Sequence, residues 1–269
     1  DHRDLHSFPT RRSSDLNHNT AFYRTRGCGE NKILCLHGAG CNSLHWMTID
    51  PPEGWQIIAV DLSGHGLSQE EPFEHIDEYA QWVSAFIENL GARVLLAGHS
   101  MGGAIALSVA YLQPEKLLGL VLTCTGATLG VSEHVLDLCR GEDTTEINRF
   151  LAKYAYSRDI TQQQIQLWQK ELGTPPSAVY LADFTACSGF DFSEKLTGIQ
   201  LPTLVVCATE DRMTPPAYAD FLSTQLPCAE LVEVRGSGHM VMLEQPAHFS
   251  RVLGEFCYRI SVHTESRQV

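Results

Sequence analysis

The stretch LLAGHSMGGAIAL, residues 95–107, decides how the rest of the chain is read. An apolar run ends at Gly98, a serine follows at position 100, and small residues continue beyond it. Gly-x-Ser-x-Gly between a strand and a helix makes a sharp turn that can hold a serine strained and exposed. The same string also fits a small residue in an ordinary tight turn. Choosing between nucleophile and turn residue requires a base and an orienting carboxylate, because a serine hydroxyl is a weak nucleophile alone.

Composition narrows the field first. The 269 residues are 43% hydrophobic and 19% charged, and 19 Lys and Arg against 32 Asp and Glu give a net charge of −13. Such an acidic chain lacks the basic footprint of a nucleic-acid or anionic-membrane binder. No apolar run reaches the ~18–20 residues needed to span a bilayer. Nine cysteines, scattered and without a C-x-x-C pair, signal neither a zinc site nor a disulfide framework. They read as buried reduced thiols, and they favour a reducing, cytoplasmic setting. Residues 6–16, HSFPTRRSSDL, resemble the conceptual translation of a short-read sequencing adapter. Residues 1–16 are therefore expected to be a non-native or disordered arm with the native start missing, and residues 263–269 a disordered tail.

After Leu16 strand-like and helix-like segments alternate. The runs at 32–38, 55–61, 93–100, 117–124 and 202–209 are nearly continuous in apolar residues, as in parallel strands buried on both faces. AFYRTRG (21–27) is a weaker candidate for an outer antiparallel strand, and AELVEVRG (229–236) reads as a last strand near an edge. Helical spacing recurs in residues 76–92, 101–113, 215–226 and 245–260, with Gly91 placed as a C-cap. This alternation predicts an α/β layered sheet with right-handed crossovers. Residues 127–190 break the rhythm with four helical segments and no strand, an insertion with too little core to stand alone. It divides the core into 17–126 and 191–262.

Two further loops supply partners for Ser100. GSGHMVMLEQP (236–246) places His239 in a Gly-rich loop directly after the last strand, away from any core face. ATEDRMTPP (208–216) places Asp211 just after another strand, with Glu210 one residue away as a competitor. HGAGCNS (37–43) follows the strand at 32–36, and its glycines permit close backbone approach to a ligand. The backbone N–H groups of Ala39 and Met101 are the expected oxyanion donors.

Together these motifs resemble the α/β-hydrolase superfamily, in its lid-bearing branch of small serine esterases, over roughly residues 22–260. DLSGHGLS (61–68) matches a turn usual in that branch, and Glu244-Gln245-Pro246 matches the usual start of its last helix. The resemblance implies a mostly parallel sheet flanked by helices, with a helical lid (127–190) inserted after the sixth strand. Carried over, Ser100 is the nucleophile, Asp211 the acid and His239 the base, while His37, His65 and His99 shape loops. Dehalogenases and epoxide hydrolases of this fold carry an aspartate where this chain has Ser100. Many carbon–carbon bond hydrolases carry asparagine where this chain has His99. One departure is the single clear strand before HG, where the family has two.

The implied reaction is hydrolysis of a small uncharged carboxylic ester, with no cofactor or metal. Leu44, Trp46, Leu129, Trp168 and Met240 are the apolar candidates for the pocket wall. A ligand receptor on the same fold, or a cofactor-free lyase, acyltransferase or carbon–carbon bond hydrolase, remains an alternative.

Overall fold

A computed structural model describes residues 10–12 and 21–265. In chain order it runs β1 (Thr10–Arg12), β2 (Phe22–Arg26), β3 (Asn31–Leu36), β4 (Trp55–Val60), α1 (Ile76–Leu90), β5 (Val94–His99), α2 (Met101–Leu112) and β6 (Leu117–Thr123). Four helices follow, α3 (Glu133–Cys139), α4 (Thr145–Tyr154), α5 (Gln162–Leu172) and α6 (Ser177–Ser188). The chain then returns through β7 (Thr203–Ala208), α7 (Pro216–Gln225), β8 (Ala229–Val234), α8 (Val241–Glu244) and α9 (Pro246–Glu265).

Among the described residues eight strands join one sheet, in the order β1-β2-β4-β3-β5-β6-β7-β8. The pairings from β4 through β8 are parallel; β2 lies antiparallel to β4, and β1 antiparallel to β2. Side chains alternate between sheet faces along a strand, so each apolar run fills two cores. Leu34, Leu36, Ile58 and Val60 pack on the face covered by α1 and α2. Ile33, Cys35, Ile57 and Ala59 pack on the opposite face, against Phe249, Leu253 and Phe256 of α9. Each such Val, Leu, Ile or Phe side chain contributes about 1.5–3 kcal/mol by leaving water. This explains why the central runs tolerate almost no polar residue. β8 alternates exposed and half-buried positions up to Val234, as befits an edge strand.

The helical insertion leaves and re-enters the core through a narrow neck. Thr128 forms an isolated antiparallel bridge with Asp191, and Phe192 N–H donates to the Ala127 carbonyl at 2.8 Å. Between these points Val135, Cys139, Ile147, Tyr180 and Phe184 form a small apolar cluster of their own.

Three expectations need correcting. The arm expected to be non-native or disordered contributes β1, whose backbone pairs with Phe22–Arg24, so among the described residues three strands precede HG. Helix α9 continues to Glu265, beyond the expected end at residue 262; residues 1–9, 13–20 and 266–269 lie outside the described residues. Not every thiol is buried: Cys28 and Cys228 are exposed, and Cys41 is half-buried; all nine cysteines are free. Among the described residues no helix is long and apolar enough to cross a membrane.

Candidate active site

The parallel strands β3, β5, β7 and β8 all point their carboxyl ends to one edge of the sheet, where ligands of open α/β folds bind. HGAG follows β3, Ser100 follows β5, Asp211 follows β7 and His239 follows β8. Ser100 adopts φ 53°, ψ −118°, a left-handed conformation costly for a residue with a Cβ. The turn closes because Ser100 N–H donates to the Thr123 carbonyl at 3.0 Å, while the Ser100 carbonyl accepts from Gly103 N–H and the Thr125 hydroxyl. Gly102 is required for close approach: a Cβ there would lie 2.4 Å from the Leu36 carbonyl oxygen.

Asp211 is fully supplied with donors. Its Oδ1 accepts from the N–H groups of Met213 and Thr214, at 2.8 and 2.9 Å. Its Oδ2 accepts from the Thr214 hydroxyl at 2.9 Å and from His239 Nδ1 at 2.8 Å. Burial alone would raise this carboxyl, but the His239 ring and the Thr214 donors outweigh it and hold it down at about 2. Glu210, the competitor, points elsewhere: its carboxylate accepts from Arg158 N–H at the edge of the insertion. The His239 loop is pinned by Glu244, whose Oε2 accepts from Gly238 N–H at 3.0 Å and from Ser157 N–H at 3.2 Å.

The other histidines do shape loops, and their partners fix their protons. His99 Nε2 lies 2.9 Å from the His239 carbonyl, which can only accept, so the proton sits on Nε2. His37 accepts from Leu62 N–H at Nε2 and donates from Nδ1 to the Gly38 carbonyl, so it is neutral. Burial pushes His37 and His99 well below the usual histidine range, and pushes His45 down to about 4. His65 differs. Burial opposes its charge too, but the Asp183 carboxylate at 2.8 Å and the Ser63 carbonyl outweigh burial and raise it.

These shifts set a pH dependence of stability. The unfolded chain protonates His37, His45 and His99 below about 6.5, where the folded chain does not. Stability from these three is complete above that value and declines as pH falls toward 4. His65 runs the other way, contributing below its unfolded value and losing that contribution as pH rises through its folded one. For His45 the shift corresponds to about 3 kcal/mol between neutral pH and pH near 4. We expect thermal melting temperatures to fall between pH 7 and 4.5, and His45→Gln to flatten the slope by roughly 5–10 °C. A slope unchanged in His45→Gln contradicts this assignment.

A cleft of about 710 Å³ opens at the edge carrying these residues, with Ala39, Ser100, His239 and Met240 in its wall. The insertion supplies much of the remainder, including Leu151, Tyr156, Leu172, Tyr180 and Phe184. A second, smaller apolar cleft of about 350 Å³ shares Ala39, Ser100 and Met213 and is closed by Leu129 and Val131. Ala39 thus borders both clefts beside Ser100, and Met101 opens α2, where the first N–H groups of a helix have no intrahelical acceptor.

Of the apolar candidates, Met240 and Leu129 line these clefts, and three others do not. Leu44 and Trp46 are buried in the core on the α9 side, Trp46 packing edge-on to Phe249 with ring centroids 5.9 Å apart. They sit on a short helical turn, Ser43–Trp46, of which only His45 borders the cleft. Trp168 stacks on Tyr156 at 5.5 Å, and it is Tyr156 that reaches the cleft. Thr214, beside Asp211, was not singled out by sequence, although a hydroxyl three residues past the acid in a tight turn is a readable signal.

Among the described residues, Cys124, Asp211 and His239 place ligand-type atoms within 4.8 Å of one another. Burial and the adjacent Asp211 push the Cys124 thiol well above its usual range, so it stays protonated. Asp211 and His239 already spend their facing atoms on each other. The cluster therefore works as a hydrogen-bonded unit.

The chain is similar to known hydrolases over most of its length. The pimeloyl-[acyl-carrier protein] methyl ester esterase of Edwardsiella ictaluri is 26% identical over 251 residues, covering 87% of this chain and 96% of that protein. A solved thermophilic esterase is 27% identical with a TM-score of 0.80, covering 94% of this chain and 99% of its own. The enol-lactonase from Burkholderia xenovorans LB400 shares the fold with a TM-score of 0.84 at 20% identity, covering 93% and 100%. Residues 33–251 match the sequence model of the Alpha/beta hydrolase family, and the chain belongs to that family.

Proposed function

We propose that the chain is a serine hydrolase that cleaves small uncharged carboxylic esters through an acyl-enzyme. The observation that carries this reading is the buried Asp211–His239 pair opening onto the same cleft as the strained Ser100. Similarity to proteins named as esterases supports the ester-hydrolase class. His239 uses Nδ1 toward Asp211, which leaves Nε2 to take the Ser100 proton as Oγ attacks the substrate carbonyl. The tetrahedral oxyanion is held by the N–H groups of Ala39 and Met101. Collapse breaks the ester C–O bond, and His239 returns its proton to the departing alcohol. Water, deprotonated by His239, then attacks the acyl carbon and releases the acid and Ser100.

The insertion acts as the lid in this reading. The named residues of the larger cleft include no Asp, Glu, Lys or Arg, which favours an uncharged substrate. Two clefts of unequal size meeting at Ser100 suit an ester with one short and one longer arm. A panel of p-nitrophenyl esters from acetate to octanoate tests the reading. Turnover of at least one member, lost in Ser100→Ala, is expected. Absence of turnover, or turnover indifferent to that substitution, rejects it, and product analysis with an added alcohol would expose an acyltransferase instead.

A further inference from the structure

We infer that Asp183, on helix α6 of the insertion, is a positioning residue for the oxyanion loop; this rests on the serine-hydrolase reading above. Asp183 is completely buried, yet it stands in a helix whose other buried members are almost all apolar or aromatic. Its carboxylate gathers donors from three separate parts of the core. Oδ2 accepts from Gly40 N–H at 2.7 Å and from His65 Nε2 at 2.8 Å, and Oδ1 accepts from the Tyr79 hydroxyl at 2.8 Å.

Gly40 is the residue that makes this contact consequential. It follows Ala39 in a turn closed by Cys41 N–H donating to the Gly38 carbonyl at 3.1 Å. Gly40 has φ +65°, so the turn carries a positive φ at its third position. Turns of this shape differ from the commoner type mainly by a flip of the central peptide. That peptide is Ala39–Gly40, and its N–H is the one Asp183 holds. The Tyr180 ring, one helical turn before Asp183, packs so closely that a Cβ on Gly40 would lie 2.0 Å from its Cε1. Helix α6 thus grips one glycine through a carboxylate on its N–H and a ring against its Cα. This grip fixes the turn that presents the Ala39 N–H beside Ser100.

A second consequence concerns motion. Swinging α6 away would take this acceptor from the half-buried Gly40 N–H and leave the buried Tyr79 hydroxyl and His65 ring without it. Stranding buried donors is costly, so α6 is a fixed wall of the site, and any opening falls to the rest of the insertion.

Asp183→Asn tests the idea. It keeps volume and one acceptor, but presents an NH₂ to donors at one edge. Three quantities are read on the folded variant: kcat and KM with a short p-nitrophenyl ester, and the affinity of a trifluoromethyl ketone that forms a serine hemiketal. The expected result is a kcat fall of about thirtyfold or more with KM within about threefold, and a parallel loss of affinity for the ketone, since removing an oxyanion donor outright costs about 10²–10³. Tyr79→Phe, which removes a donor from the other carboxylate oxygen, is expected to lower the melting temperature with little change in kcat. Wild-type kcat and ketone affinity in Asp183→Asn, or a loss confined to KM, overturn the inference. Should Asp183→Asn not fold, Asp183→Glu replaces it; parallel losses then support the idea, and wild-type values for both quantities from a displaced carboxylate overturn it. Retained labelling of wild-type Ser100 by a serine-directed probe shows that such a failure belongs to Asp183 alone, whereas absent labelling brings down the hydrolase reading itself.

Discussion

Ser100→Ala is expected to hydrolyse short p-nitrophenyl esters about 10⁴–10⁶-fold more slowly than the parent chain. Removing the nucleophile of such a unit abolishes the covalent route and leaves only the rate that binding and the oxyanion donors supply. The effect should fall on kcat with KM little changed, because Ser100 Oγ is one atom in a cleft of about 710 Å³. Stability should hold or rise slightly. The backbone at Ser100 is strained at φ 53°, and alanine keeps both the Cβ and the N–H bond to the Thr123 carbonyl. Measured kcat within tenfold of wild type would show that Ser100 is only a turn residue.

Asp211→Asn is expected to lower kcat by about 10⁴. The reason lies in the donors around the carboxylate. Met213 and Thr214 N–H groups both point at Oδ1, so an asparagine would place its carbonyl oxygen there and turn its NH₂ toward His239. His239 Nδ1 would then have to accept, which moves the imidazole proton to Nε2, the atom that must receive the Ser100 proton. The ring stays in position in the wrong tautomer. Stability changes as well, with a determinate sign. The folded carboxyl is held at about 2, against an ordinary 3.8. Its contribution is therefore present above that ordinary value and is lost as pH falls through about 2. At neutral pH the asparagine variant forgoes about 2 kcal/mol. A variant with wild-type kcat would place the orienting role elsewhere.

The legible parts of the molecule were those in which one physical demand dominates. The runs around Leu34, Ile58, Leu96 and Val205 must be apolar at every position because both faces are covered. Gly98 and Gly102 flank a serine that no other residue type lets turn so tightly: a Cβ on Gly98 would sit 2.1 Å from the Gly102 carbonyl oxygen. His239 and Asp211 stood out because each follows a strand in a loop that does not need a titratable residue for folding.

The pocket wall was less legible for a related reason. Trp46 and Tyr156 are both aromatic and nearly fully buried, but one fills the core and the other faces the cleft. Hydrophobicity alone does not separate packing against the sheet from packing against a ligand. β1 was missed because its pairing depends on the free edge of β2 rather than on any apolar pattern of its own. Asp183 carried a partial signal, a lone carboxylate in SAVYLADFTACS, but its partner Gly40 is 143 residues earlier in the chain. Only the fold brings the two together.

We propose Ser100 as the nucleophile of a site assembled from four strand ends. A fluorophosphonate probe followed by peptide mapping tests it most directly. A single stoichiometric adduct is expected on the peptide carrying GHSMG, at Ser100, slowed in Asp211→Asn and absent in Ser100→Ala. An adduct on any other residue, or none on folded protein, would contradict it.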